Sequence, residues 1–102
     1  MESNLKLQTL LENLLGSRNV YFQPPESVKL KYDAIIYRRR SIDNTYANNL
    51  VYKQDDAWEL TVIYRDPNCE IPRKISQLPR CRFDRHFVVD GLYHDVFILY
   101  HN

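Results

Sequence analysis

The side chains best suited to chemistry crowd into one stretch of the chain: Cys81, Asp84, Arg85, His86, His94 and Asp95. A histidine oriented by an aspartate can serve as a general base. A nearby thiol could then act as its nucleophile. His86, His94 and Asp95 could instead be considered as metal ligands. Spacing decides among these readings. Asp90-Gly91 lies between two apolar-rich runs, a strong signal for a two-residue hairpin turn. On that register Val89 faces Leu92, Val88 faces Tyr93, Phe87 faces His94, and His86 faces Asp95. Side chains directly opposite lie about 5 Å apart, so His86 and Asp95 meet across the strands. His94 points to the other face, which argues against a shared metal. Cys81 is expected on the face opposite His86, about five residues away, so nucleophile and base do not converge. No glycine-rich elbow or phosphate loop is present to supply an oxyanion hole. The expectation is a structural cross-strand pair, His86 with Asp95, with no catalytic site, metal or cofactor. Cys81, Phe83, Phe87, Val89, Leu92, Val96, Ile98 and Tyr100 are then expected to form a core face.

The elements that position this hairpin are legible from periodicity. Leu7, Leu10, Leu11, Leu14 and Leu15 follow the spacing of one helix face, predicting a helix over residues 4–15 with Ser3 as N-cap and Gly16 just past its end. Val20 to Gln23 is a short extended run stopped by Pro24-Pro25, which fits an edge strand. Asp33 to Arg40 predicts a second strand. Residues 41–56 are rich in Asn and Asp without sustained period. They are expected to form a long loop, with a short pairing near Leu50 to Tyr52. Trp58, Leu60, Val62 and Tyr64 alternate with polar or smaller neighbours over Ala57 to Arg65, the clearest strand, with Trp58 as core anchor. Glu70 to Leu78 predicts a short helix with Pro72 in its first turn and Ile71, Ile75 and Leu78 on one face. The expected class is α+β. It has a mainly antiparallel sheet of four to five strands, two helices on one face, and the order α-β-β-β-α-β-β.

With 102 residues the chain is expected to be one domain. Its 14 basic and 13 acidic residues leave a net charge of +1, giving no general attraction to nucleic acid or to a membrane. No apolar run approaches the roughly 20 residues of a membrane span, and the start lacks the basic segment of a signal peptide. The chain is expected to fold in the cytoplasm with its two cysteines, Cys69 and Cys81, as free thiols. Eight tyrosines fit either a contact surface or an aromatic-rich sheet.

The other concentrated charge is Arg38-Arg39-Arg40. It fits a solvated strand end or a contact to an acidic neighbour. The segment after it carries apolar anchors among acids. Arg38, Arg39, Arg40, Asp43, Tyr46, Leu50, Tyr52, Asp55 and Asp56 are therefore the candidate subunit or partner interface. The arginines and the acids would form two complementary patches.

The run Thr61-Val62-Ile63-Tyr64-Arg65-Asp66-Pro67, followed by Ile71-Pro72, Lys74-Ile75 and Leu78-Pro79, is similar to small structural proteins of long-tailed bacteriophages. So is Phe83-Asp84-Arg85-His86-Phe87 followed by Leu92, His94-Asp95-Val96-Phe97 and Tyr100. The resemblance is to the tail terminator family, also called tail completion or tail-to-head joining proteins. It covers most of the chain and is strongest from residue 58 onward. It implies a virion protein, assembled in the host cytoplasm, that forms a homo-oligomeric ring, usually a hexamer. The ring caps the tail tube, ends polymerisation of the tube protein and presents a surface to the head connector. DNA passes through the lumen only as cargo, and neither catalysis nor a cofactor is implied. Two other readings stay open. One is a head-side connector or stopper protein. The other is a small nucleic-acid-binding module or enzyme using His86, Asp95 and the arginines.

Overall fold

The structure, a computed structural model, describes residues 2–101, with side chains from Asn4 onward. The elements are α1 (Glu2–Leu15), β1 (Val20–Phe22), β2 (Ala34–Ala47), β3 (Leu50–Tyr64), α2 (Ile71–Ser76), β4 (Cys81–Val89) and β5 (Leu92–Tyr100). The strands form one sheet in the order β1-β2-β3-β5-β4. Only β1 runs parallel to its neighbour, β2; every other pairing is antiparallel. This is the α+β architecture expected from the periodicities.

The leucine stripe directs α1 onto the sheet. Leu7 and Leu11 are fully buried, Leu10, Leu14 and Leu15 pack at the margin, and Leu5 stays exposed. The helix starts at Glu2, ahead of the expected N-cap; the Ser3 side chain lies outside the described residues. It stops where Gly16 takes φ +80° and donates its N–H to the Glu12 carbonyl at 2.9 Å, a left-handed end that glycine adopts without Cβ strain. In α2, Pro72 occupies the first turn, Ile75 is buried, and Ile71 and Leu78 flank it. Both helices cover one face of the sheet. That face presents Ile35 and Tyr37 from β2, Trp58, Leu60, Val62 and Tyr64 from β3, and Phe97 and Leu99 from β5.

Two buried aromatics tie these layers together. Trp58 donates its indole N–H to the His101 carbonyl at 2.9 Å and is ringed by Tyr37, Phe22 and the Arg39 guanidinium, the last 4.9 Å from its ring centre. Tyr37 rises from the sheet to meet α1. Its hydroxyl donates to Gln8 Oε1 at 2.7 Å, with the Asn4 side-chain amide 2.6 Å away. Gln8 in turn donates to the Val20 carbonyl at 3.0 Å, so one helical glutamine links α1 to both β1 and β2. Burial, helped by the nearby Glu12 charge, pushes the Tyr37 hydroxyl up to about 12.

Two expectations are corrected. Residues 41–56 are not a loop. β2 and β3 continue as a hairpin that runs out past the end of β5, where Tyr100 pairs with Ala57. The turn is Asn48-Asn49, both at positive φ (54° and 63°), the conformation a tight hairpin turn demands and asparagine tolerates. This arm stretches the molecule to 51 × 26 × 23 Å. The second correction concerns the closing hairpin. Its turn pairs as expected, Asp90 and Gly91 both at positive φ, but a bulge at Asp84 shifts the register between Phe83 and Arg85. The expected eight-residue core face is therefore split. Cys81 and Phe83 lie on the helix-covered side. Phe87, Val89, Leu92, Val96, Ile98 and Tyr100 lie on the side no helix covers.

Leu11→Ala should cost about 2–5 kcal/mol in urea unfolding, whereas Leu5→Ala should stay within about 0.5 kcal/mol. Because the Tyr37 pKa is raised in the folded state, its stabilising effect is whole below pH 10 and is lost as the pH climbs towards 12. Tyr37→Phe should therefore flatten the alkaline limb of a stability–pH curve measured by circular dichroism over that window.

Candidate functional site

The strongest side-chain constellation is built around Asp95, buried at 7 % exposure on β5. The β4–β5 register places His86 opposite it, and His86 Nδ1 bonds Asp95 Oδ1. Tyr64, on the other side of β5, donates its hydroxyl to Asp95 Oδ2 at 2.8 Å. Both carboxylate oxygens are thus satisfied, which is what makes burial of this charge tolerable. Tyr93 completes the group: its ring stacks on Tyr64 at 5.4 Å and on His86 at 6.0 Å. Burial first, then the bond and proximity to Asp95, hold the Tyr64 hydroxyl well above the usual phenol range.

This arrangement clamps three strands, β3, β5 and β4. The expected His86–Asp95 pair is present. The bulge places Cys81 on the same face as His86, not the opposite face, yet Cys81 pairs with Leu99, four residues along β5 from Asp95. That is roughly 13 Å at strand rise, beyond reach of the imidazole. Burial also pushes the Cys81 thiol up to about 11, so it is a poor nucleophile at neutral pH. His94 lies on the other face, stacked on Phe87 at 4.7 Å and bonded through Nδ1 to the Leu92 carbonyl at 3.0 Å. Among the described residues, no three histidine, cysteine, aspartate or glutamate side chains converge to hold a metal ion. A cleft of about 320 Å³ opens beside Asp95 between α2 and the sheet, lined in part by Tyr64, Cys69, Arg73, Ser76 and Phe83.

The charged candidates are rearranged more deeply. Arg38 bonds Glu59, which also receives Arg85 at 3.7 Å, so one partly buried carboxylate links β2, β3 and β4 across the helix-free face. Arg39 lies over Trp58 and reaches Asp56 at 4.0 Å. Asp55 pairs with Lys53 at 3.7 Å and Arg80 at 3.3 Å. Arg40 is the bulged residue between Arg39 and Ser41. The arginines and acids are thus neighbours on one hairpin, largely answering one another, and do not form two separate complementary patches. Adjacent strands put them there: Arg39 pairs with Trp58 and Ile42 with Asp56.

What does stand free is apolar. Tyr46 (62 % exposed), Leu50 (72 %) and Tyr52 (74 %), candidates from the sequence, crowd the tip of the arm with Val51, while Ile42 is exposed nearer its base. The second apolar surface escaped the sequence reading. β4 is an edge strand, and every residue after Cys81 is exposed, including Phe83, Phe87, Val88 and Val89. The signal was the apolar run itself, taken for core; its place at the sheet edge leaves it bare.

Two measurements check this assignment. Asp95→Asn should destabilise the fold by about 1–3 kcal/mol, because a buried charged acceptor is lost, while His86→Ala, at a half-exposed partner, should cost about 1 kcal/mol or less. At pH 8 the folded protein's Cys81 should react with a thiol reagent about a hundredfold more slowly than the denatured protein's.

The chain matches no family model, no curated protein and no solved structure, so the functional reading rests on these residues and their geometry.

Proposed function

We propose that this chain is the subunit of a homo-oligomeric ring that terminates a phage tail, capping the tube and joining it to the head connector. The observation that carries the reading is the arm. A hairpin of seventeen residues, 40–56, leaves the core with large apolar side chains at its tip and nothing among the described residues to cover them. An isolated domain has no use for such an extension, because its ordering costs conformational entropy and its apolar tip stays in water. A subunit that grips its neighbours uses both. The Asp95 clamp and the Glu59 bridge are scaffolding in this reading: they stiffen the sheet from which the arm projects. The resemblance of residues 58–100 to tail terminators supplies the biological setting, virion and tail, and a structural rather than enzymatic role. A head-side stopper would use the same surfaces against a different ring.

Light scattering behind size-exclusion should give a mass several times the 12.3 kDa of one chain, and Tyr46→Ser with Leu50→Ser and Tyr52→Ser should reduce it to one chain. Particles assembled without the protein should show abnormally long or headless tails in electron micrographs. Normal detached tails beside leaking heads would transfer the role to the stopper.

A further inference from the structure

Resting on the reading of the chain as a ring subunit, we infer that the arm of one copy lies along the β4 edge of the next copy. The contact joins two different surfaces and repeats around a closed ring.

Four observations meet in this contact. First, the arm tip and β4 are the two exposed apolar surfaces already described, and they belong to opposite parts of the sheet. The arm springs from β2 and β3, while β4 is the far edge strand beyond β5. Two distinct patches of this kind make a heterologous interface, the kind that closes into rings. Second, both offer unpaired backbone. β4 pairs on one side only, with β5, and β1 pairs with β2 no further than Tyr37, so the arm's β2 edge runs on without that neighbour. An extended segment adds to a bare strand edge through main-chain hydrogen bonds, with alternate side chains reaching the surface below. Eight exposed residues of edge strand, with Phe83 and Val88 on one side and Phe87 and Val89 on the other, are a feature that folded proteins ordinarily cover.

Third, the charges match. Asp43 stands directly opposite Asp55 on the arm, a like-charged cross-strand pair. Asp55 is answered by Lys53 and Arg80, but Asp43 makes no ion pair among the described residues. Arg82 on β4 also makes none among the described residues. The register puts both on the helix-free side of the sheet, Asp43 beside Asp55 and Arg82 beside Ile98. A neighbour's Arg82 would give Asp43 the cation that its own chain supplies only to Asp55. Fourth, the area suffices. The exposed apolar residues of the arm and β4 present on the order of 900 Å² at 150–250 Å² per fully buried aromatic. Their polar flanks bring this to the roughly 1,200–2,000 Å² of a stable interface.

The test mixes two broken subunits. One has its arm shortened, residues 43–54 replaced by Asn-Gly; the other carries Phe83→Ser, Phe87→Ser and Val88→Lys on β4. Each alone should run as a single chain by light scattering, the β4 variant near 12.3 kDa and the arm-shortened one lighter by its ten missing residues. Mixed, they should form a heterodimer of their summed mass that grows no further, because one intact arm meets one intact edge. The heterodimer itself certifies that both variants fold. A milder pair guards against misfolding: Asp43→Arg or Arg82→Asp alone should weaken assembly about tenfold, and the two together should restore it. A mixture that stays monomeric with no charge-swap rescue overturns the contact, as does a β4 variant that still assembles alone through arm-to-arm contacts. Wild-type protein that stays monomeric up to millimolar concentration overturns it too. The tail role fails independently: if this contact builds the ring but particles lacking the protein carry normal, head-joined tails, the role falls and the contact stands.

Discussion

Everything in this fold follows from a shortage of helix. Helices of 14 and 6 residues must cover a sheet whose strands have 3, 14, 15, 9 and 9 residues. They suffice for one face only. On that face the packing is complete, with Leu7, Leu11 and Ile75 set against Trp58, Leu60 and Phe97, all at most 2 % exposed. Burial of a leucine or phenylalanine stabilises by about 1.5–3 kcal/mol, so this single layer is what holds the domain together. The opposite face and the arm have no helix to meet, and β4 meets α2 on one side only.

The uncovered face is stabilised by different means. Val96 and Ile98 are buried there without a second layer of secondary structure. Long side chains lie over them instead: Arg38 and Arg85 converge on Glu59, and Phe87 stacks on His94. The aliphatic stems of arginine shield apolar surface while the guanidinium stays wet. Exposed ion pairs of this sort contribute little stability individually. Their value is that they join strands β2, β3 and β4 laterally, as Asp95 does for β3, β5 and β4 on the other side. A sheet braced on both faces can hold a projecting arm in a defined direction.

The histidine–aspartate pair is held by its strands and by a buried carboxylate. A buried carboxylate needs its lone pairs filled, and a histidine and a tyrosine fill them here. The same two donors beside a convergent nucleophile would be a catalytic group. The difference lies in distance along β5 and in the burial of Cys81, neither of which is a property of residue type.

What depends on neighbours a few positions apart is legible in the residues alone. The helix face of Leu7 to Leu15, the alternation from Trp58 to Tyr64, the Asp90-Gly91 turn and hence the His86–Asp95 pairing all follow from local period and turn chemistry. The rest depends on how distant strands assemble. Bulges at Arg40, Tyr52 and Asp84 each insert a residue that breaks the alternation, so the arm read as loop and one hairpin face was assigned wrongly. An Asn48-Asn49 turn between Thr45-Tyr46-Ala47 and Leu50-Val51-Tyr52 was a usable signal for the arm, masked by that broken period. Strand order placed β4 at the edge, turning an apolar run that looked like core into exposed surface, and folded the arginines onto acids of the adjoining strand. Periodicity tells which side of a strand is apolar; what lies against that side is settled by elements far away in the chain.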